Sequence, residues 1–202
     1  MIDHVVTSGT FTLDGQSFDV DNNIWLVGDE AEVFIVDAAH EAQPILDAVR
    51  GRRVAAVVAT HGHNDHINVA TAVADAVGAP ILIHPDDLML WDVVNPDRPP
   101  ESSSPSCSSP SGGGVTLRVL HTPGHSPGGC CLYDEADNVV FSGDTLFNGG
   151  PGATGRSYSD RPTIVRSITE KLLTLPDDTV VHTGHGDSTT IGAERGNVTD
   201  DS

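Results

Sequence analysis

Among ten histidines in 202 residues, most stand beside Gly, Thr, Asp or Pro, the company of turns and not of cores. Four donors fall within six residues in Thr60-His61-Gly62-His63-Asn64-Asp65-His66. Imidazole nitrogen and carboxylate oxygen are the atoms that zinc and iron accept. His61 and His63, two apart in extended backbone, point the same way and can share an ion. Asp65 and His66 arrive as the chain turns into a helix and face a second point nearby. The spacing therefore suits two adjacent ions. A lone His-x-His would read as a polar loop, but four donors at a strand end argue for metal chemistry.

Further donors occur in three later turns, each after an apolar strand. These are His121-Thr122-Pro123-Gly124-His125, Ser142-Gly143-Asp144-Thr145 and His182-Thr183-Gly184-His185. Glycine beside the donors lets backbone approach closely.

The elements that must position these turns are read from pattern. Ile24–Val27 and Glu32–Val36 predict paired strands about Gly28-Asp29, and Ala42–Val49 a helix. Val54–Ala59 is apolar throughout, as in a strand buried on both faces. Thr60–His66 reads as loop, Asn68–Val77 as a helix stopped by Gly78, and Pro80–Ile83 as a strand. Val115–Leu120 alternates like a strand. Gly129–Tyr133 and Val139–Ser142 read as a hairpin, and 148–162 as a Gly-rich loop. Thr163–Leu173 predicts a helix and Thr179–Thr183 a last strand. Residues 1–194 read as one domain of α+β or α/β type. Within it, the Ser/Pro/Gly-rich stretch 99–114 is expected to be a mobile loop, and 195–202 a polar tail.

Ten basic against 29 acidic residues give a formal net charge of −19, with Lys171 the only lysine. Nucleic acid and anionic membrane surfaces are poor partners for such a chain. No apolar run approaches the ~20 residues of a membrane span. The first 25 residues lack a basic segment followed by an apolar one, so a cytoplasmic location is expected. Cys107, Cys130 and Cys131 form no disulfide framework and no CxxC pair, which suits a reducing compartment.

The ordered motifs from about Asn23 to Glu194 resemble those of the metallo-β-lactamase superfamily, and within it the short glyoxalase II-like hydrolases. The resemblance implies a four-layer αββα sandwich with metals at the sheet edge. It implies that His61, His63 and His125 hold a first metal, that Asp65, His66 and His185 hold a second, and that Asp144 bridges both. Aspartate at 144, where many true β-lactamases carry cysteine, favours the hydrolase branch. The implied cofactor is two divalent ions, zinc foremost, with iron or manganese as substitutes. Ions roughly 3.5–4 Å apart hold a water, lower its pKa and polarise a carbonyl. The implied substrate is a small-molecule thioester, whose thiolate leaves without acid help. A persulfide dioxygenase using one iron on His61, His125 and Asp144 is the alternative. A lactonase or a non-catalytic metal-binding module stands behind it. The C-terminal helical domain that contacts glutathione in full-length glyoxalase II is not expected here, and with it glutathione specificity.

The strand-end Asp37 matches a superfamily motif that orients the ligand loop, and it also reads as a helix N-cap. Arg156 and Tyr158, in the Gly-rich loop, read as substrate contacts, with an Arg156–Asp160 pair as the plainer alternative. His121 and His182 read as supporting or packing histidines, His84 as structural, and His4 and His40 as surface residues.

Overall fold

A computed structural model of the chain describes residues 1–101 and 109–199. The first sheet runs β1 (Ile2–Leu13), β2 (Gln16–Gly28), β3 (Glu32–Val36), β4 (Arg53–Val58) and β5 (Ile81–Leu82), in that spatial order. Strands β1 to β3 are antiparallel neighbours, and β3 to β5 are parallel. Helices α1 (Ala42–Val49), α2 (Asn64–Ile67), α3 (Ala70–Val77) and α4 (Leu88–Val94) belong to this half.

The second half contains β6 (Ser111–Gly112), β7 (Val115–His121), β8 (Cys130–Asp134) and β9 (Val139–Gly143). A small hairpin, β10 (Leu146–Phe147) and β11 (Gly150–Pro151), precedes helix α5 (Arg161–Ser167). That helix continues as a π-helical turn, Ile168–Leu172. The chain then forms β12 (Val180–Thr183), β13 (Thr189–Thr190) and α6 (Ile191–Glu194). The second sheet is ordered β13-β12-β9-β8-β7-β6, with β12 parallel to β9.

Alternation along the strands divides the apolar residues into three layers. Leu26, Ile35 and Val57 pack outward against Ile45 and Val73 of the helices. Trp25, Phe34, Val36 and Val58 face Leu117, Leu132 and Phe141 of the second sheet. Cys131, Tyr133, Val140 and Val181 face Ile164, Ile168 and Leu172. This is the αββα sandwich, and it explains why Val54–Ala59 is apolar on both faces. Gly78, at φ +68°, closes α3 in the left-handed conformation. Among the described residues no helix is long and apolar enough to cross a membrane.

Several boundaries differ from the expectations. The long β1–β2 hairpin was not among the expected elements, although its tip, Asp14-Gly15 with φ 53° and 72°, is a strong short-range hairpin signal. The expected loop 60–66 gives way to helix at Asn64, and the next helix starts at Ala70 instead of Asn68. Part of the expected mobile loop 99–114 is ordered. Ser111–Gly112 pairs with Val115–Thr116, and Gly113 N donates to Glu32 Oε2. Charged and polar anchors thus order a stretch with little to bury. Residues 102–108 of that loop, Cys107 among them, lie outside the described residues. The expected tail is anchored as far as Thr199. Arg195 pairs with Asp177, Asn197 Nδ2 donates to Glu194 Oε2, and Arg161 donates to Thr199 O.

Candidate metal centre

The donors converge because each lies just beyond the end of a strand. His61 and His63 follow β4, Asp65 and His66 open α2, His125 follows β7, Asp144 follows β9, and His185 follows β12. His63 Nδ1 lies 3.0 Å from both His61 Nε2 and His125 Nε2. His185 Nε2 lies 3.3 Å from both His66 Nε2 and Asp65 Oδ2. Asp144 spans the two groups, with Oδ1 3.3 Å from His66 Nε2 and Oδ2 3.5 Å from His125 Nε2 and 3.4 Å from His185 Nε2. Gly184 makes this approach possible, since a Cβ there would stand 2.3 Å from Asp144 Oδ1.

The donor set fits divalent ions. Buried Asp65 Oδ1 and Asp144 Oδ1 have no hydrogen-bond partner among the described residues. Three imidazole nitrogens converging within 3.0 Å of a common member are placed to share one cation. Three of the imidazoles are tied down through their other nitrogen, as metal-bound imidazoles are. His66 Nδ1 donates to Asp37 Oδ2 (2.8 Å), His125 Nδ1 to Ala153 O (2.8 Å) and His185 Nδ1 to Asp21 O (2.7 Å).

The two groups differ electrostatically. Burial, with His66 and His63 beside it, pushes His61 well below the ordinary imidazole value. Burial and His125 push His63 down to about 3. Burial also works against charge on His185, but Asp144 and Asp65 outweigh it and carry it up to about 10. His66 is raised in the same way by Asp144, Asp37 and Asp65. Against the penalty of burial, His66 and His185 hold Asp144 well below the carboxylate range.

Asp37 is not a helix cap, because α1 begins later, after Glu41. Its carboxylate accepts from Thr60 N (2.8 Å), Thr60 Oγ1 (3.0 Å) and His66 Nδ1. Arg156 does not pair with Asp160, which caps α5 through Thr163 N. Its guanidinium lies 4.7 Å from the Phe18 ring centre and 5.7 Å from that of Phe11, and it donates to Gln16 Oε1. Phe11 in turn packs 5.3 Å from the His63 ring. Arg156 thus stands at the rim, joined to the hairpin tip, while Tyr158 is 58% exposed.

His84 and His121 stack at 4.0 Å with planes 12° apart, and Asp86 Oδ2 lies 3.7 Å from His84 Nδ1 and 4.0 Å from His121 Nε2. His182 and the exposed His4 both stack on Trp25, at 4.2 and 4.1 Å. His40 is not a plain surface residue. It is half-buried and donates from Nε2 to Asn22 Oδ1.

Two supporting residues escaped the sequence reading. Fully buried Asp87 accepts from Gly62 N (2.8 Å), Ser126 Oγ (2.7 Å) and Gly128 N (2.6 Å), tying together the turns that carry His61, His63 and His125. Asn22 turns its amide toward Asp65, His66 and His185. Asp87 stands next to Asp86 at a strand-to-helix turn, where a carboxylate reads as a cap. Asn22 carried no spacing signal.

Comparison with known proteins then decides the family. Residues 18–185 match the Metallo-beta-lactamase superfamily profile. The chain belongs to the metallo-β-lactamase superfamily. Within the superfamily it is 31% identical to Hydroxyacylglutathione hydrolase GloC of Haemophilus influenzae, over 85% of this chain and 87% of that one. The structure of the BLEG-1 B3 metallo-beta-lactamase superposes with a TM-score of 0.81, at 28% identity, covering 95% of this chain and 98% of the other. TTHA1623, solved in a di-iron-bound form, gives 0.77 at 32% identity, covering 88% and 94%. The four-layer fold is that of the superfamily, and its His/Asp clusters are of the kind that hold divalent metals.

Proposed function

We propose that the protein is a binuclear metal-dependent hydrolase that cleaves a thioester of a small thiol. The observation that carries this reading is the pair of complete donor trios meeting at one carboxylate, Asp144. Similarity to GloC supports the substrate class. On this reading His61, His63 and His125 hold one ion, Asp65, His66 and His185 the other, and Asp144 both. Zinc suits this donor set, and iron or manganese can replace it. A bound pair of divalent ions supplies an activated water and a Lewis acid for a carbonyl.

The chain's own groups do the rest. Asp37 aims His66. Asp65 and Asp144, kept ionised by neighbouring imidazoles, are the two carboxylates beside the reacting centre and can accept a hydrogen bond from the attacking water. A thiolate leaves without a general acid. Arg156 offers a cation to a substrate carboxylate, and Phe11, Phe18 and Tyr158 offer apolar contact. The partner is a small molecule, not nucleic acid or membrane, and cysteine usage is consistent with the cytoplasm. A mononuclear iron persulfide dioxygenase would need only His61, His125 and Asp144, leaving the preformed Asp65–His66–His185 trio without a task.

The test is elemental analysis of protein purified without chelators, followed by a thioester panel. Close to two ions per chain and thioester turnover are expected. Asp144→Asn should lose metal and activity together. One iron, with no second ion taken up on titration, would overturn the reading, as would an Asp144→Asn variant with both ions and full activity.

A further inference from the structure

Asn22 is fully buried on β2. Its Nδ2 lies 3.2 Å from His66 Nε2, 3.4 Å from Asp65 Oδ2 and 3.5 Å from His185 Nε2, the three atoms of the second trio. The two ends of an asparagine amide are told apart only by their partners. Here the partners leave one solution. The His40 backbone N–H, which can only donate, bonds Asn68 Oδ1 at 2.6 Å. Asn68 therefore turns Nδ2 toward His40 Nδ1, 3.4 Å away, and that nitrogen accepts. The proton of neutral His40 then resides on Nε2, which donates to Asn22 Oδ1 at 2.8 Å. The Asn22 –NH2 group is left facing the trio.

The surroundings are shaped for this relay. His40 sits at φ 61°, in the left-handed region. Gly9 on the hairpin makes room for its ring, because a Cβ there would lie 2.1 Å from His40 Nδ1.

We propose that Asn22 is a positioning residue that orients Asp65 in the second metal trio, and that His40 keeps the amide turned this way. Once the imidazole lone pairs of His66 and His185 are committed to an ion, Asp65 Oδ2 is the one acceptor in that trio still open to Nδ2. One N–H holds that carboxylate. The proposal rests on the two-metal part of the reading above and not on its substrate.

The experiment is titration of the chelator-stripped full chain with zinc alone, followed by calorimetry, for wild type, Asn22→Ala, His40→Phe and His40→Gln. Wild type should take two ions. Asn22→Ala should keep the affinity for the first and weaken the second about 10–100-fold. His40→Phe should shift the second site in the same direction. His40→Gln, which keeps an N–H donor, should recover most of the loss. Asn22→Ala and His40→Phe combined should cost less than the sum of the two.

Unchanged second-ion affinity in both Asn22→Ala and His40→Phe would overturn the proposal. So would equal weakening of both ions, which marks a general structural role, or a wild type that binds a single ion. If no thioester is hydrolysed by wild type, the zinc titration still decides the proposal.

Discussion

His66 Nδ1 donates to Asp37 Oδ2 at 2.8 Å, and the same carboxylate receives Thr60 N and Thr60 Oγ1. One side chain at the end of β3 therefore holds both the loop bearing His61 and the helix bearing His66. Asp37 has φ 60°, a conformation asparagine tolerates. Asp37→Asn should keep the backbone but present an –NH2 group to Thr60 N–H or to His66 Nδ1–H. Second-ion affinity should fall about 10–100-fold, read by metal stoichiometry at limiting zinc.

Asp87 is fully buried, and no lysine or arginine is among its hydrogen-bond partners. Burial raises its pKa, and the donors Ser126, Gly128 and Gly62 counter that rise. Asp87→Ala would leave those three donors unpaired. A loss of roughly 2–4 kcal/mol is expected. It should appear as a thermal midpoint lower by roughly 5–15 °C. Because the residue braces His61, His63 and His125, the first ion should weaken more than the second. Selective loss of the second ion would contradict this account.

The two trios should release different numbers of protons. His61 and His63 are pushed low and are already neutral at pH 7, whereas His66 is raised and His185 stands at about 10. An ion must displace the protons of His66 and His185. Calorimetry at pH 7.5, close to neutral working conditions, in buffers of unequal ionisation heat should show more protons released at the second site than at the first.

The same shifts govern the metal-free chain. A histidine raised from 6.5 to about 10 contributes stability that is complete below 6.5 and is lost as pH climbs through 10. Thermal midpoints of the stripped protein should therefore fall between those values. The metal-loaded protein should change less, since its histidines carry no proton to lose. A stripped protein that gained stability over that range would refute the assignment.

Arg156 joins the rim to the hairpin tip through Phe11, Phe18 and Gln16, and the neighbouring Ser157 donates to Asp14. Arg156→Ala should raise KM about tenfold for a thioester bearing a free carboxylate, a change of roughly 1.4 kcal/mol. The effect should be smaller for a neutral analogue. Equal effects on both substrates would assign Arg156 to holding the hairpin alone.

The metal chemistry was legible in the sequence because it is local. Donors in a six-residue run, and others in small-residue turns after apolar strands, advertise themselves by type and spacing. The apolar run Val54–Ala59 and the alternating strands around it specified layers, because burial on one face or two leaves a different pattern along the chain. What the tertiary structure alone decided is which polar residues support those donors. Asn22 meets His185 across 163 positions, Arg156 meets Gln16 across 140, and Asp87 meets Gly128 across 41. A lone asparagine or aspartate carries no periodicity, and its role depends on a neighbour that only the stacking of the two sheets brings near.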